Sequence, residues 1–172
     1  MKHYRCTICE QDHSDVPMDI AQPRPIDYYA IPPEARDERI TITADLCCID
    51  DKRYFLRGYM PIPVQDSPEV FGWGVWAEVE ENSFYRYIEL YEVDGTREPP
   101  FPGLLSAALN CYQPSTYQLP LYVQLRGAQD RPLLSFPEQV QHPLAQEQRD
   151  GITMARVYEI LHQSLPNLLT SE

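Results

Sequence analysis

The pattern of apolar and polar positions is organised around residues 71–80, which contain both tryptophans of the chain. Apolar side chains occupy odd positions there, namely Phe71, Trp73, Val75 and Val79. Because this period of two is typical of a strand, we expect one buried face and one partly wet face. Gly72 and Gly74 leave one face bare, so that another backbone, a ring or a ligand can approach closely. The stretch predicts a core strand; a ligand or partner surface at Trp73 and Trp76 is the alternative.

Alternation predicts further strands on both sides of this stretch. Residues 40–49 and 52–60 alternate around a short acidic turn, which indicates an antiparallel hairpin. Residues 119–125 give the clearest strand signal in the chain, with apolar side chains at every second position. Residues 132–136 add one more short strand. We therefore expect these strands to form an antiparallel sheet.

Three helices are predicted in the first two thirds of the chain. Residues 33–39 fit a short helix with a proline at its first position. Residues 84–91 repeat apolar side chains at helical spacing, although the residue types themselves favour a strand. Residues 103–110 are rich in leucine and alanine and predict a short buried helix.

Two more helices are predicted towards the C-terminus. A helical turn begins at His142-Pro143 and is interrupted by Gly151. Thr153 then caps the last helix. The buried stripe of this helix consists of Met154, Tyr158, Leu161 and Leu165. His162 falls on the polar side of the same helix, where we expect it to be solvated.

Strands and helices follow one another in a mixed order, without a regular βαβ rhythm. This order predicts the α+β class: a single domain spanning residues 1–172, with an antiparallel β-sheet, helices packed on one of its faces and a C-terminal helix. Five prolines between residues 17 and 33 indicate an extended N-terminal arm, residues 1–33, laid over the surface. The α+β core then covers residues 34–165, and residues 166–172 form a tail.

A strongly acidic composition limits the classes of partner. The net charge is −12, and only two of the 172 residues are lysine. Such a surface repels phosphate backbones and anionic lipids, so we expect no nucleic-acid or membrane partner. A basic protein partner would be attracted, although acidity also fits a role in solubility alone. No apolar run approaches the ~20 residues of a membrane span and the N-terminus shows no apolar secretory segment, so a cytoplasmic location is expected. The oligomeric state stays open.

Five cysteines are an odd number, which favours reduced thiols or metal ligands over a disulfide framework. Cys6 and Cys9 have the two-residue gap with which two thiolates hold one zinc ion from a single turn. This pair is half of a zinc site. The candidates for the remaining ligands are His13, Cys47, Cys48 and His142. A redox pair and two ordinary reduced cysteines are the alternatives.

The positions of these candidates limit what each can do. Cys47 and Cys48 are adjacent in a predicted strand, so their side chains point to opposite faces and only one of them can join a site. His142 starts a predicted helix, where it can cap the helix, bind a metal or act as a base. The chain contains no Gly-x-Ser-x-Gly, no phosphate loop and no His-Glu-x-x-His, so these common catalytic and nucleotide sites are not indicated.

Several short segments occur together in a fixed order along the chain. They are Cys6-x-x-Cys9 with His13 shortly after, Ala44-Asp45-Leu46-Cys47, Tyr54-Phe55-Leu56-Arg57-Gly58, Ile62-Pro63-Val64, Trp73-Gly74-Val75-Trp76, Arg131-Pro132, and His142-Pro143-Leu144-Ala145 with Glu147-Gln148 and Gly151-Ile152. Taken together they resemble an uncharacterised bacterial family, domain of unknown function 2199, over nearly the whole chain. The chain departs from the family pattern at Glu10, where glycine is expected, and at Gln141, where aspartate is expected.

The resemblance implies no established activity, but it does imply one set of metal ligands. That set is Cys6, Cys9, Cys47 and His142. Three cysteines and one histidine would complete a tetrahedral zinc site that joins the N-terminal arm, the first hairpin and the entry to a C-terminal helix. His13 or Cys48 would serve as a substitute for one of these ligands.

Two functions of different classes follow from these features. The first is a non-catalytic, acidic binding or interaction module that zinc stabilises and that a basic protein would occupy. The second is an enzyme that uses a metal-bound water or a site formed by Cys47 and His142, which requires an open pocket and a free ligand position. A packed fold with neither metal nor site is the structural alternative. We predict the first of these.

Overall fold

The computed structural model describes residues 4–6, 8–13 and 16–165 of the chain. The strands in these residues are β1 (Tyr4–Arg5), β2 (Asp12–His13), β3 (Asp19–Ala21), β4 (Ile40–Ile42), β5 (Leu46–Ile49), β6 (Arg53–Pro63), β7 (Val70–Val79), β8 (Phe101–Leu105), β9 (Pro120–Gln124) and β10 (Leu133–Ser135). The helices are α1 (Ile26–Tyr29), α2 (Arg36–Arg39), α3 (Glu81–Leu90), α4 (Pro143–Asp150) and α5 (Met154–Ser164). A 3₁₀ turn at Pro33–Ala35 leads directly into α2.

Five consecutive strands, β6 to β10, close on themselves as a barrel, because β10 pairs with β6. Each strand pairs antiparallel with the next one in the chain. With an odd number of alternating strands, the first and the last run in the same direction. The pairing that closes the barrel is therefore parallel, as the register of Leu133 with Tyr59 shows.

The α+β class is confirmed. The predicted antiparallel sheet is found as a closed barrel within a larger sheet that also contains parallel pairings. A second parallel pairing joins β3 to β7. β6 makes the closure feasible because it is 11 residues long. One edge of β6 pairs with β5 along its first half. β10 pairs with the same edge of β6 closer to the C-terminal end of that strand. Local alternation predicts strands but not the order in which their edges meet.

Both tryptophans of β7 are fully buried, each with 0% of its surface exposed. Trp73 belongs to the main core, which joins the inward faces of the barrel strands to buried residues of α3, α4 and α5. Trp76 belongs to a second, smaller cluster with Phe55 and Cys47, and its indole Nε1 donates to Gln22 O at 3.0 Å. The core-strand prediction is confirmed. The alternative, a ligand or partner surface at both tryptophans, is corrected because neither indole reaches the surface.

The two glycines of β7 allow close approach on its outer face, as the sequence predicts. A Cβ atom at Gly72 would lie 2.2 Å from Cε2 of the Tyr59 ring. At Gly74 it would lie 3.2 Å from the Cα of Ala21, in the neighbouring strand β3. A ring and a backbone therefore fill the space that the missing side chains leave.

Most of the predicted elements are present, and one is wrong. The hairpin of β5 and β6, the helix α3, the strands β9 and β10, and the two C-terminal helices are confirmed. Residues 103–110, predicted as a short helix, instead begin in strand β8 and continue as an irregular segment. Gly103 fits between β7 and β9, where an added Cβ would lie 3.1 Å from Glu78 O. Pairing on both edges therefore outweighs the helical preference of the leucines and alanines that follow.

The N-terminal arm contains three short strands, of which only β3 belongs to the large sheet. β1 and β2 form a short antiparallel hairpin, and β3 joins the edge of β7 with Ile20 buried beneath it. The predicted tail, residues 166–172, lies outside the described residues. Across the described ranges, every helix is too short or too polar to cross a membrane.

Candidate metal centre

The N-terminal hairpin presents Cys6 and Cys9 from one tight turn between β1 and β2. The backbone N–H of Cys6 donates to Gln11 O at 2.8 Å, and Glu10 N donates back to Cys6 O at 2.9 Å. Ile8 N also points at the Cys6 sulfur, at 3.4 Å. These bonds hold the two thiol groups on the same side of the turn, as a thiolate knuckle requires.

Glu10 adopts the left-handed backbone conformation that a glycine would take most easily. Its φ angle is 59°, and a side chain in this region costs about 1–2 kcal/mol relative to the right-handed region. The turn therefore keeps the geometry of a cysteine knuckle although glycine is absent. The departure at Glu10 strains the turn without opening it.

Four potential ligands converge at this turn: Cys6, Cys9, His13 and His162. Their ligand atoms all lie within 4.8 Å of one another, so among the described residues this group could hold a metal ion. The sulfur of Cys9 and Nε2 of His13 are 3.1 Å apart. Cys6 is buried, with 1% of its surface exposed, and the other three are half-buried.

Helix α5 positions His162 against the hairpin. Tyr158, one turn earlier, packs its ring 5.5 Å from the His13 ring, measured between centroids. The Tyr158 hydroxyl also donates to the backbone carbonyl of His13 at 3.5 Å. The His162 ring then meets His13 edge-on with centroids 6.0 Å apart. The expectation that His162 is solvated is wrong, because the hairpin covers this side of the helix.

Nε2 of His162 is buried and has no hydrogen-bond partner among the described residues. A buried polar atom without a partner costs about 1–3 kcal/mol, which makes it a marker for a missing ligand or ion. Burial, together with the positive charge that His13 can carry, lowers the pKa of His162. The ring is then neutral at pH 7, and a neutral ring is the form that binds metals.

The donor set is two thiolates and two imidazoles. Softer sulfur and nitrogen ligands in a tetrahedral arrangement favour zinc over magnesium or calcium. Zinc bonds of 2.0–2.3 Å would put tetrahedral ligand atoms roughly 3.3–3.8 Å apart. A contraction of about 1 Å would therefore bring this group into bonding distance of one ion.

The family model described as "Uncharacterized protein conserved in bacteria (DUF2199)" matches residues 5–152. The chain belongs to this family. The match includes Cys6, Cys9 and His13 but ends before His162. No curated protein and no solved structure matches the chain. Membership of DUF2199 therefore confirms the resemblance and adds no activity to it.

The ligand set implied by the resemblance is only half assembled. Cys6 and Cys9 are together, and His13, the substitute ligand, joins them. Cys47 lies instead in the second core cluster, paired in register with Phe55 and 0% exposed. Pairing of β5 with β6 buries Cys47 there, so the Cys₃His arrangement is corrected. Cys48 points to the opposite face, at the edge of the main core.

His142 caps helix α4 and does not join the metal group. Its Nδ1 accepts a hydrogen bond from Leu144 N at 3.0 Å. Its Nε2–H donates to Pro114 O at 2.8 Å. Both ring nitrogens are therefore used within the fold, and of the roles left open by the sequence the structure shows the cap.

Replacing His142 with alanine should lower the free energy of unfolding by about 1–2 kcal/mol, because the helix loses its cap and Pro114 O loses its donor. His142→Asn should lose less, since asparagine is also a good N-cap residue. Urea denaturation of the three proteins measures the difference. Equal losses in both variants would contradict the capping role.

Burial raises the pKa of the Cys47 thiol to about 12. At pH 8 the thiolate fraction should then be about a thousandfold below that of an ordinary cysteine with a pKa near 9. In a Cys48→Ser background, native Cys47 should therefore resist iodoacetamide, and urea should make it reactive. Peptide mass spectrometry follows the alkylation. Rapid alkylation of the native protein would show that Cys47 is accessible.

His162 is the one member of the group that sequence reasoning assigned to solvent. The sequence gives only a weak indication that His162 is buried. His162 follows the buried Tyr158 by four residues, so the two side chains share a face of α5. Nothing local indicates that the N-terminal hairpin packs on that face. The position of His162 at the edge of the apolar stripe of α5 is the one feature that could have marked it as a candidate metal ligand.

Proposed function

We propose that this DUF2199 chain is a zinc-stabilised, non-catalytic and acidic binding module. The proposed zinc ion is held by Cys6, Cys9, His13 and His162, and it fastens the N-terminal hairpin to the last helix. The convergence of these four ligand atoms within 4.8 Å carries the proposal. We also propose a cytoplasmic location, because thiolate ligands stay reduced there.

The number of protein ligands supports a structural rather than a catalytic ion. A structural zinc is bound by four side chains, whereas a catalytic zinc keeps one position open for water. Two cysteines and two histidines fill all four positions. The near-complete burial of Cys6 further limits access of solvent to the proposed ion.

The contacts of Cys47 and His142 weigh against the alternative of an enzyme that uses these two residues. Cys47 is enclosed by apolar side chains and its raised pKa leaves it as a thiol at neutral pH. A thiol is a poor nucleophile compared with a thiolate. The His142 ring already has a partner at each nitrogen. An enzyme with a metal-bound water would require one of the four proposed ligands to leave.

A surface on α3 supports binding of a basic protein. Tyr85 and Ile88 are 50% and 41% exposed, and they lie one turn apart on the solvent side of the helix. Glu81 and Glu89 on α3 and Glu92 just after it are exposed nearby, while Arg86 on the same helix pairs with Glu89 at 3.1 Å. Exposed apolar residues with acids near them offer an anchor and an electrostatic guide to a partner of opposite charge. The net charge of −12 acts in the same direction.

Metal content tests the proposed zinc site. The protein purified without chelator should contain about one zinc ion per chain by elemental mass spectrometry. Cys9→Ser and His162→Ala should lose the ion, whereas Cys47→Ser and His142→Asn should keep it. Loss of the ion in Cys47→Ser and His142→Asn, with the ion kept in His162→Ala, would favour the Cys₃His set. Absence of zinc from all five proteins would refute the proposal.

Photo-crosslinking tests the α3 surface. A crosslinking residue at position 85 should capture a basic protein from bacterial extract, and capture should weaken as salt rises from about 0.05 to 0.3 M. Glu89→Gln with Glu92→Gln should weaken it as well, since charge attracts the partner. The same crosslinker at Tyr122, which is 43% exposed on β9, is the control. Equal capture at both positions would contradict the proposal that α3 binds a basic partner. So would capture that changes neither with salt nor with the two glutamate substitutions.

A further inference from the structure

The two cysteines of the proposed zinc site differ in how far solvent reaches them. Cys6 is buried and belongs to the main core, whereas Cys9 is half-buried and lies at the edge of that core. Their sulfur atoms lie within 4.8 Å of each other, and one turn of the chain carries both residues. A disulfide bond spans such a separation once the two side chains rotate towards each other. The pair therefore combines one accessible sulfur with one sheltered partner.

The other three cysteines of the chain do not belong to this group. Cys47 and Cys48 point to opposite faces of β5, and the Cys111 sulfur accepts a hydrogen bond from the Ser164 hydroxyl at 4.0 Å. Burial raises the pKa of each of these three thiols, that of Cys47 to about 12. Oxidants react with a thiolate far faster than with a thiol, and a cysteine that binds zinc does so as a thiolate. Oxidation should therefore select the two cysteines of the proposed zinc site.

The N-terminal hairpin depends on its attachment to α5. β1 and β2 have two residues each and form a sheet of their own, apart from the eight-stranded sheet. A two-stranded hairpin is marginally stable by itself in water. Its contacts with α5 include those of His13 with Tyr158 and His162, and Cys6 packs in the core beside them. Loss of the proposed ion would therefore loosen the hairpin and uncover the α5 face around Tyr158, which is fully buried beneath it.

We propose that Cys9 is an oxidation site at which a peroxide converts the zinc-bound hairpin into a disulfide-bonded, metal-free and loosened form. This inference rests on the proposed zinc function and adds a regulation of the same site. Cys9 is the residue that a small oxidant reaches first, because it is half-buried whereas Cys6 is enclosed. Cys6 is then the resolving cysteine, the residue that completes the disulfide bond.

The oxidation transfers two electrons from the two thiolates to one peroxide molecule. The Cys9 sulfur attacks one peroxide oxygen, the O–O bond breaks, and the departing hydroxide takes a proton from solvent to become water. Cys9 is then a sulfenic acid. The Cys6 sulfur attacks the Cys9 sulfur, the S–O bond breaks, and the second hydroxide also becomes water. One disulfide bond and two water molecules form from each hydrogen peroxide. The disulfide sulfurs no longer bind zinc, because the thiolate is the metal ligand, and only two histidines remain.

Treatment of the zinc-loaded, full-length protein with hydrogen peroxide tests the site. A metal-sensitive dye should report release of about one zinc ion per chain, and peptide mass spectrometry should find a disulfide between Cys6 and Cys9 that forms at the same rate. Dimedone, which traps sulfenic acids, should label Cys9 at least about tenfold more than Cys6. Dithiothreitol with added zinc should restore the starting form. Retention of zinc after peroxide, or preferential labelling of Cys6, would overturn the proposal.

Two controls assign the response to the hairpin. Cys47→Ser and Cys111→Ser should release zinc at the wild-type rate, and slower release in either variant would overturn the assignment to Cys9. Hydrogen exchange after oxidation should quicken at least about tenfold in β1 and β2 and stay unchanged in β7. Unchanged exchange in the disulfide-bonded hairpin would overturn its loosening.

The zinc content before peroxide separates this inference from the proposed function on which it rests. Absence of zinc before treatment would refute the proposed site and this inference with it. Zinc that is present before treatment and still bound afterwards would overturn the oxidation site alone.

Discussion

Removal of the proposed zinc ion should lower the melting temperature by about 10 °C. An ion present at a thousand times its dissociation constant contributes about 4 kcal/mol to the folded state. In a chain of 172 residues, each kcal/mol corresponds to about 2–4 °C. The loss should be concentrated at the N-terminal hairpin and α5, because the ion joins these two elements. Differential scanning calorimetry before and after chelation measures the effect.

The variant His162→Ala makes this experiment selective. It should melt near the temperature of the chelated protein, and chelator should lower its melting temperature no further. Added zinc should restore the wild-type protein after chelation but not the variant. If wild-type protein that contains zinc keeps the same melting temperature after chelation, the ion contributes nothing to stability.

A second large effect is expected from a buried carboxylate on the short helix α1. Asp27 is 6% exposed, and its carboxylate accepts from the Ser106 hydroxyl at 2.7 Å and from the Tyr117 hydroxyl at 2.6 Å. Arg53 donates to the same carboxylate at 3.0 Å and binds Glu78 through two further bonds of 2.9 and 2.6 Å. Arg53 is therefore the cation that compensates the buried charge of Asp27 and links α1 to the barrel.

Arg53→Met should lower the free energy of unfolding by about 3 kcal/mol. Breaking a buried ion pair typically costs about 3–5 kcal/mol, because the remaining charge stays buried without its partner. The two hydroxyl donors left on Asp27 and the partial exposure of Arg53 place the expected loss at the low end of that range. Urea denaturation with an unchanged m-value is the measurement.

Arg39→Met is the matched control for this prediction. Arg39 binds Asp50 with two bonds of 2.7 and 2.6 Å, yet both side chains are more than a third exposed. An exposed pair contributes about 0–1 kcal/mol because water solvates the charges when they separate. Each substitution removes a two-bond arginine–carboxylate pair, and Arg53→Met also removes the bond to buried Asp27, so the difference between the two losses measures the effect of the buried partner. Similar losses for Arg53→Met and Arg39→Met would contradict the compensating role of Arg53.

The predictions from sequence were accurate where a pattern extends over neighbouring residues. The alternation in β7 predicts its buried face, and the cap at Thr153 predicts the start of α5. Residues 103–110 show the limit, because Leu104 and Leu105 fit a helix and a strand equally well. Edge pairing with β7 and β9 decides this case, and those partners are distant in the chain.

In the candidate metal site, too, only the ligands that are close in sequence could be predicted. Cys6 and Cys9 could be paired from their spacing alone, since one turn holds them both. Their partners could not, because a ligand that arrives from another element depends on how the elements pack. Cys47 and His142 share segments with the family pattern, yet one is enclosed beneath Trp76 and Phe55 and the other caps α4. His162 lies beyond the matched residues and reaches the site only through α5.

The sequence by itself determined the α+β class, most strands and helices, the cysteine knuckle and membership of DUF2199, because each depends on local spacing or on the order of short segments. Tertiary structure alone decided the closure of β6 to β10 into a barrel, the arrival of His162 beside Cys6, and the burial of Cys47 away from both. These features join residues far apart in the chain. Their distances are set by the packing of whole strands and helices, which no local pattern records.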